Sequence, residues 1–246
     1  MSKDYKNPPL TEAVFEVKYG KSVNFSTETI AAFSESIHPL FPIKKKAVRI
    51  ETSINVGLEK KENDIVNKTI KFDTFYSPDE KYLVHLEENR ISIHRLKPYI
   101  SWVDFASKIN AVLSAHIQHI NFEKLIRIGV RYINEIVFPK DSQMKDAFGV
   151  FLTIPPQIEG EIKSLFCNLV LRVGENNDQL KVRIGDKKST DKQNAGLAIM
   201  DLDYSNEKIS FENQKDIMSW LDNAHASIEK SFESLLAEKL KSTFDI

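Results

Sequence analysis

Apolar and polar residues alternate strictly from Leu125 to Phe138 (LIRIGVRYINEIVF). Ile126, Ile128, Val130, Tyr132, Asn134, Ile136 and Phe138 share one side; Arg127, Gly129, Arg131, Ile133 and Glu135 share the other. Side chains in a strand repeat every two residues, so the run predicts a strand with one buried and one polar face. Its length and central place predict an inner strand of an antiparallel sheet.

The same rule places a first strand at Glu12–Tyr19, with Ala13, Phe15 and Val17 on one side, after a stiff Asn7-Pro8-Pro9 lead-in. Ala47–Leu58 reads as a strand with Val48, Ile50, Ile54, Val56 and Leu58 inward and Arg49, Glu51, Ser53 and Asn55 outward. A charged loop at 59–67 and a strand at Lys68–Tyr76 follow. Ser77-Pro78-Asp79-Glu80 has turn chemistry. Lys81–Glu87 and Arg90–Leu96 form a hairpin about Glu88-Asn89, in the register that opposes Leu86 to Ile91, Tyr82 to Arg95 and His85 to Ser92. Strands at Lys163–Gly174, Leu180–Ile184 and Gly196–Tyr204 complete the set, while 140–163 has no clear period.

Helical spacing appears three times. Ser26 caps a short helix carrying Ile30, Phe33 and Ile37, stopped by Pro39. Ser101 caps a second, with Trp102, Phe105, Ile109, Val112, Leu113, His116, Ile117 and Ile120 on its stripe. The last helix starts near Ile217 and carries Leu221, Ala224, Ile228, Phe232, Leu235 and Leu236, with room to reach Lys241. The order β-α-ββββ-α-β, then βββ-α, predicts an α+β fold: antiparallel sheet, helices packed on one side, a long C-terminal helix. We read residues 1–140 as an N-terminal α+β subdomain and 141–246 as a βββα subdomain packed closely against it.

Composition narrows the function classes. The 246 residues carry a net charge of −1, which does not indicate nucleic acid as the partner. The single cysteine, Cys167, excludes an internal disulfide framework and reads as an inert buried thiol beside Leu165 and Leu169. No apolar h-region opens the chain and no apolar run is long enough to span a bilayer, so the expected compartment is the cytoplasm.

Three constellations merit chemistry. Arg127 and Arg131, with Arg49, His94 and His85, share the polar sheet face and suit an anionic ligand or an acidic protein partner. The competing account is a charge ladder with Glu51, Asp73 and Glu135. Asp201 and Asp203 share a strand face and, with further oxygens, would hold a divalent metal; otherwise they pair with Lys181 and Arg183. His85, Glu87 and His94 lie outward on the hairpin near Arg90. His116 reads as a core histidine, and His225 as a local helical partner of Asp222 or Glu229. No Walker loop, GxGxxG, GxSxG, HExxH or CxxC pair is present, no nucleophile has a base beside it, and no cofactor is implied.

NPPLTEAVFEVKY, RIGVRYINEI, MDLDY and LDNAHASIEKSFESLL, spread in order from Asn7 to Leu236, resemble the signatures of a sporadically distributed bacterial family of uncharacterised function. The resemblance implies Pro9, Glu12, Arg131, Tyr132, Asn134, Asp203, His225 and Phe232 as shared positions. It implies no reaction; patchy distribution implies an accessory role such as anti-phage defence or a toxin–antitoxin pair. Three functions stand open. The first is a non-enzymatic binding or sensing subunit using the Arg-bearing face. The second is a metal-dependent phosphodiesterase or nuclease using Asp201 and Asp203. The third is a helix-grip-like carrier of a small ligand, which an apolar cavity would favour.

Overall fold

The alternations above become a single sheet because each strand has one face that must leave water. A computed structural model describes residues 5–20, 25–55, 64–120, 125–139, 147–149, 164–174, 176–187, 195–208, 211 and 213–245. Among these, nine strands form one antiparallel sheet in the order β2-β3-β4-β5-β1-β6-β9-β8-β7. They are β1 (Leu10–Tyr19), β2 (Ile43–Asn55), β3 (Asp64–Tyr76), β4 (Tyr82–Glu87), β5 (Arg90–Leu96), β6 (Leu125–Pro139), β7 (Phe166–Val173), β8 (Asp178–Asp186) and β9 (Ala195–Asn206). The helices are α1 (Thr27–Ile37), α2 (Trp102–His119), α3 (Gln214–Leu235) and the short α4 (Glu238–Lys241). The fold is α+β with a long C-terminal helix.

The central strand is β6, hydrogen-bonded to β1 on one side and β9 on the other. Cross-strand rows fix the dry face: Phe15 lies opposite Val130 and Ile93, and Tyr132 opposite Ala13 and Leu202. Phe15, Ile93, Val130 and Leu202 are fully buried. All three major helices cover this one face. Phe33 of α1 meets Phe75 edge-on, Phe105 of α2 stacks near Tyr82, and Trp220 of α3 packs against Tyr204. Each helix starts on a side-chain cap: Ser26, Ser101 and Asn213 accept from the backbone N–H groups of Thr29, Asp104 and Asp216.

The hairpin register is the expected one, with Leu86 opposite Ile91 and His85 opposite Ser92. Several inward assignments need correction. Val48 and Ile50 lie 61% and 66% exposed, because β2 is an outermost strand and the helix layer ends short of it. Ile126 is exposed as well, at the bulge where the β1–β6 register shifts between Lys18 and Tyr19. Leu171 is exposed and Cys167 only half-buried, since β7 is the other sheet edge. Ile117 is exposed, and Ala115 joins the buried stripe of α2 instead. Strand β3 starts at Asp64, so part of the expected charged loop is paired with β2. Val56, Leu58 and most of 140–163 lie outside the described residues. The last helix ends at Leu235 rather than running on, and Glu238–Lys241 is a separate turn.

An element order recurs. β1 opens a run that returns through β5, its sheet neighbour, and closes with α2. β6 opens a run that returns through β9, its sheet neighbour, and closes with α3. In each run the closing helix sets a histidine against a tyrosine of the opening strand: His116 Nε2 to Tyr19 Oη, and His225 Nδ1 to Tyr132 Oη, both 2.7 Å.

Leu221 and Ile228 are fully buried beneath α3, whereas Phe232, expected on the same stripe, is half-buried against Tyr5 and Phe244. Ile228→Ala is therefore expected to lower unfolding free energy by about 2–5 kcal/mol, and Phe232→Ala by less. Urea unfolding of the two variants checks this; an equal or larger loss for Phe232→Ala would contradict the packing of α3.

Candidate functional site

The polar sheet face gathers the expected arginines and histidines and satisfies them internally. Arg49 pairs with Glu87 through two contacts of 2.8 and 2.9 Å. Glu87 also accepts from Arg90, whose Nη1 reaches Glu16 at 3.0 Å. Glu16 accepts from Arg127 at 2.7 Å, and Arg127 donates in turn to Asp203 at 2.7 Å. This chain of alternating charges crosses from β2 to β9. Beside it, Asp201 takes two contacts from Arg131, at 2.7 and 2.8 Å, and one from Arg183 at 2.8 Å. The ladder is real, but its acids are not the expected ones. Asp73 points to the helix side and meets Lys46 at 2.7 Å, Glu135 meets Lys187 at 2.6 Å, and the Glu51 side chain lies outside those described. A sequence shows which face a residue takes, not which strand lies beside it, and β9 is the neighbour that supplies Asp201 and Asp203.

Asp201 finds Arg183 as expected, while Asp203 is held by Arg127 rather than Lys181. With guanidinium groups against both carboxylates, the pair makes a poor cation cradle. Among the described residues no group of three or more His, Cys, Asp or Glu is placed to hold a metal ion. His94 bridges Glu12 (Nδ1, 2.7 Å) and Ser92 (Nε2, 2.9 Å), and its ring lies 4.5 Å from that of His85. The His94 hydrogen bond holds the Glu12 carboxyl below its ordinary value. Burial, helped by the charge of His94, pushes His85 down to about 4.

A different site lies on the helix side. A cleft of about 420 Å³ opens between the N-terminal segment, the start of α2, the middle of β6 and the second half of α3. Tyr132 and Asn134 form its floor; Tyr99, Trp102 and Phe232 form aromatic walls; Pro8, Pro9 and Tyr5 close one side. His225 is its most constrained member. Its ring stacks on Trp102 at 4.1 Å and 9° between planes. Its Nδ1 meets the Tyr132 hydroxyl at 2.7 Å, and its Nε2 lies 3.2 Å from Glu229. A carboxylate only accepts, so Nε2 carries the proton and Nδ1 accepts from Tyr132. Glu229 is thus the helical partner of His225; Asp222 instead accepts from Trp102 Nε1 at 2.9 Å and pins the indole. The Tyr99 hydroxyl stands 3.4 Å from that of Tyr132. Burial pushes Tyr99 up to about 12 and Tyr132 well above its ordinary value, so both remain hydroxyls at neutral pH.

The strap over the cleft is tied at both ends. The Asn7 N–H donates to the Phe244 carbonyl at 2.9 Å, and the Tyr5 hydroxyl donates to Glu233 at 2.7 Å. Sequence reading named none of these residues as a site. The available signal was Tyr132 and Asn134, two polar side chains on the buried side of an inner strand between Val130 and Ile136. Buried polar groups need partners, and such a pair marks a place where the core is not simply packed.

No protein-family model matches the chain, and no curated protein matches it.

Two expectations follow, one from the polar face and one from the buried histidines. Glu87 has 1% of its side chain exposed and sits between Arg49 and Arg90, so Glu87→Ala is expected to cost roughly 3 kcal/mol in denaturant unfolding. Arg131 is 45% exposed and leaves Asp201 with Arg183, so Arg131→Ala should cost less than about 1 kcal/mol. The second concerns pH. His85 is pushed down to about 4 and the buried core residue His116 to about 3, both from 6.5. Each binds its proton more readily when unfolded, so their contribution to stability is full above pH 6.5 and lost as pH falls towards 4 and below. Urea midpoints should fall across that interval, and His85→Gln should flatten the fall; a midpoint unchanged from pH 7 to pH 4 would refute the assignment.

Proposed function

We propose that this protein is a non-enzymatic binding or sensing protein whose ligand occupies the aromatic cleft between α2, β6 and α3. The observation that carries the reading is His225, held by Tyr132 and Glu229 and stacked on Trp102 in the wall of that cleft. These contacts fix the ring as a recognition surface, beside the hydroxyl, amide and carboxylate groups of the lining. A long helix lying on an antiparallel sheet beside a mostly apolar cavity also suits a small-ligand carrier. The arginine face supports this reading less well, since its guanidinium groups are already matched by Glu87, Glu16, Asp203 and Asp201. Of the positions implied by the family resemblance, Pro9, Tyr132, Asn134, His225 and Phe232 line the cleft. In the accessory setting implied by that resemblance, such a protein is the sensing component.

The neutral dye N-phenyl-1-naphthylamine tests the site. Its fluorescence should rise on binding, and Val103→Trp, which adds bulk to an exposed lining residue, should weaken binding by roughly tenfold. Arg131→Ala should leave it unchanged. Loss of binding in Arg131→Ala with full binding in Val103→Trp would move the site to the sheet face and overturn the proposal.

A further inference from the structure

We infer that the ligand of this cleft is a small organic cation: an ammonium, guanidinium or quaternary ammonium group on an apolar or planar body. The inference rests on the cleft being the binding site and adds the chemical class of what it takes.

The charge of the lining is one-sided. Among the described residues, Glu229 and Glu233 are its only acidic side chains, and no lysine or arginine lines it. They stand one turn apart on α3, where like charges repel. Each has a donor beside it in the lining, and Glu233 also has a cation outside it. Glu229 faces His225, and Glu233 faces the Tyr5 hydroxyl at 2.7 Å and Lys241 at 3.5 Å. Side-chain exposures of 34% and 31% leave both carboxylates reachable from the opening. Around them lie further acids: Asp222 of α3 against Trp102, Asp104 in the first turn of α2, and Asp245 and Glu238 near Tyr5. The cations nearby lie outside the lining: Lys108 faces Asp104 at 3.8 Å, Lys241 faces Glu233 and Glu238, and Arg95 behind Tyr99 donates to the Pro98 carbonyl at 2.6 Å.

Aromatic faces supply the other half of cation recognition. Tyr5, Tyr99, Trp102, Tyr132 and Phe232 all border the same 420 Å³. Ring quadrupoles attract a cation to their faces, and the attraction grows where water is excluded. An anionic ligand would meet two carboxylates and no fixed positive group. A neutral ligand would leave the Glu229–Glu233 repulsion relieved only by Lys241 behind Glu233. A monocation relieves it and uses the rings.

The experiment is a competition titration of the intact protein, in which benzyltrimethylammonium displaces N-phenyl-1-naphthylamine. Wild type is compared with Glu229→Gln and with the Glu229→Gln, Glu233→Gln double variant; melting curves confirm folding. The expected result is displacement by the cation in wild type, weakened roughly tenfold in the double variant and less in the single one when each is measured against that variant's own affinity for the neutral dye. Because Glu233 also anchors Tyr5, the single variant carries the test if the double one melts early. A dye that binds but is not displaced by the cation overturns the inference while the cleft reading stands. So does equal cation affinity in wild type and Glu229→Gln. Failure of the dye itself to bind overturns both.

Discussion

Each strand of this sheet must keep one face dry, and the seam between β1 and β6 decides which face that is. Phe15 against Val130 and Val17 against Ile128 put large apolar groups on one side of the two central strands. Every neighbouring strand inherits that parity through its hydrogen bonds, because a slip of one residue would turn its whole apolar set into water. The helices then have a single surface to cover. The opposite surface receives the alternating carboxylates and guanidinium groups, which must neutralise one another because several lie with little exposure. Glu87 in the middle of that surface shows how far this goes: an ionised group with almost no access to water, made tolerable by the arginines on either side.

Much of this architecture was legible in the chain. Strict alternation placed β6 within a residue of its ends and gave the register of the β4–β5 hairpin, because a buried face on an inner strand leaves a strong periodic mark. The marks failed at the edges. Val48, Ile50 and Leu171 have the spacing of inward residues and the exposure of outward ones, since inwardness depends on whether a helix reaches that far. Partner identity was hidden for a similar reason. Arg127 and Arg131 announced a charged face, but Glu16, Asp201 and Asp203 come from strands distant in sequence, and only the sheet order brings them alongside. The cleft was hidden more deeply. Its walls come from four separate segments; Trp102 and Phe232 each read as an ordinary member of an amphipathic stripe, and His225 as a local helical partner.

The recurrence of a histidine-tyrosine pair in the two runs of the chain gives those residues a common logic. In the first run His116 meets Tyr19 inside the core, enclosed by Phe33 and cut off from water. In the second, His225 meets Tyr132 at the boundary of a cavity. The same contact between a closing helix and an opening strand therefore sits in packed core in one half and in a cavity wall in the other. The difference lies in what surrounds it: apolar rings around His116, and Trp102, Glu229 and open space around His225.

The strap formed by residues 5–9 has a thermodynamic consequence. Tyr5, Pro8 and Pro9 are at once a wall of the cleft and a segment held to the body through Glu233 and the Phe244 carbonyl. Occupancy of the cleft and seating of the strap are then two equilibria that share residues, and linkage makes their coupling reciprocal. A substitution near Phe244, far in sequence from any ligand contact, would change affinity by the factor through which it changes the seated fraction. A bound ligand would in turn hold the two ends of the described chain together, so that its presence is readable at the Asn7–Phe244 contact as a slower exchange of the Asn7 amide.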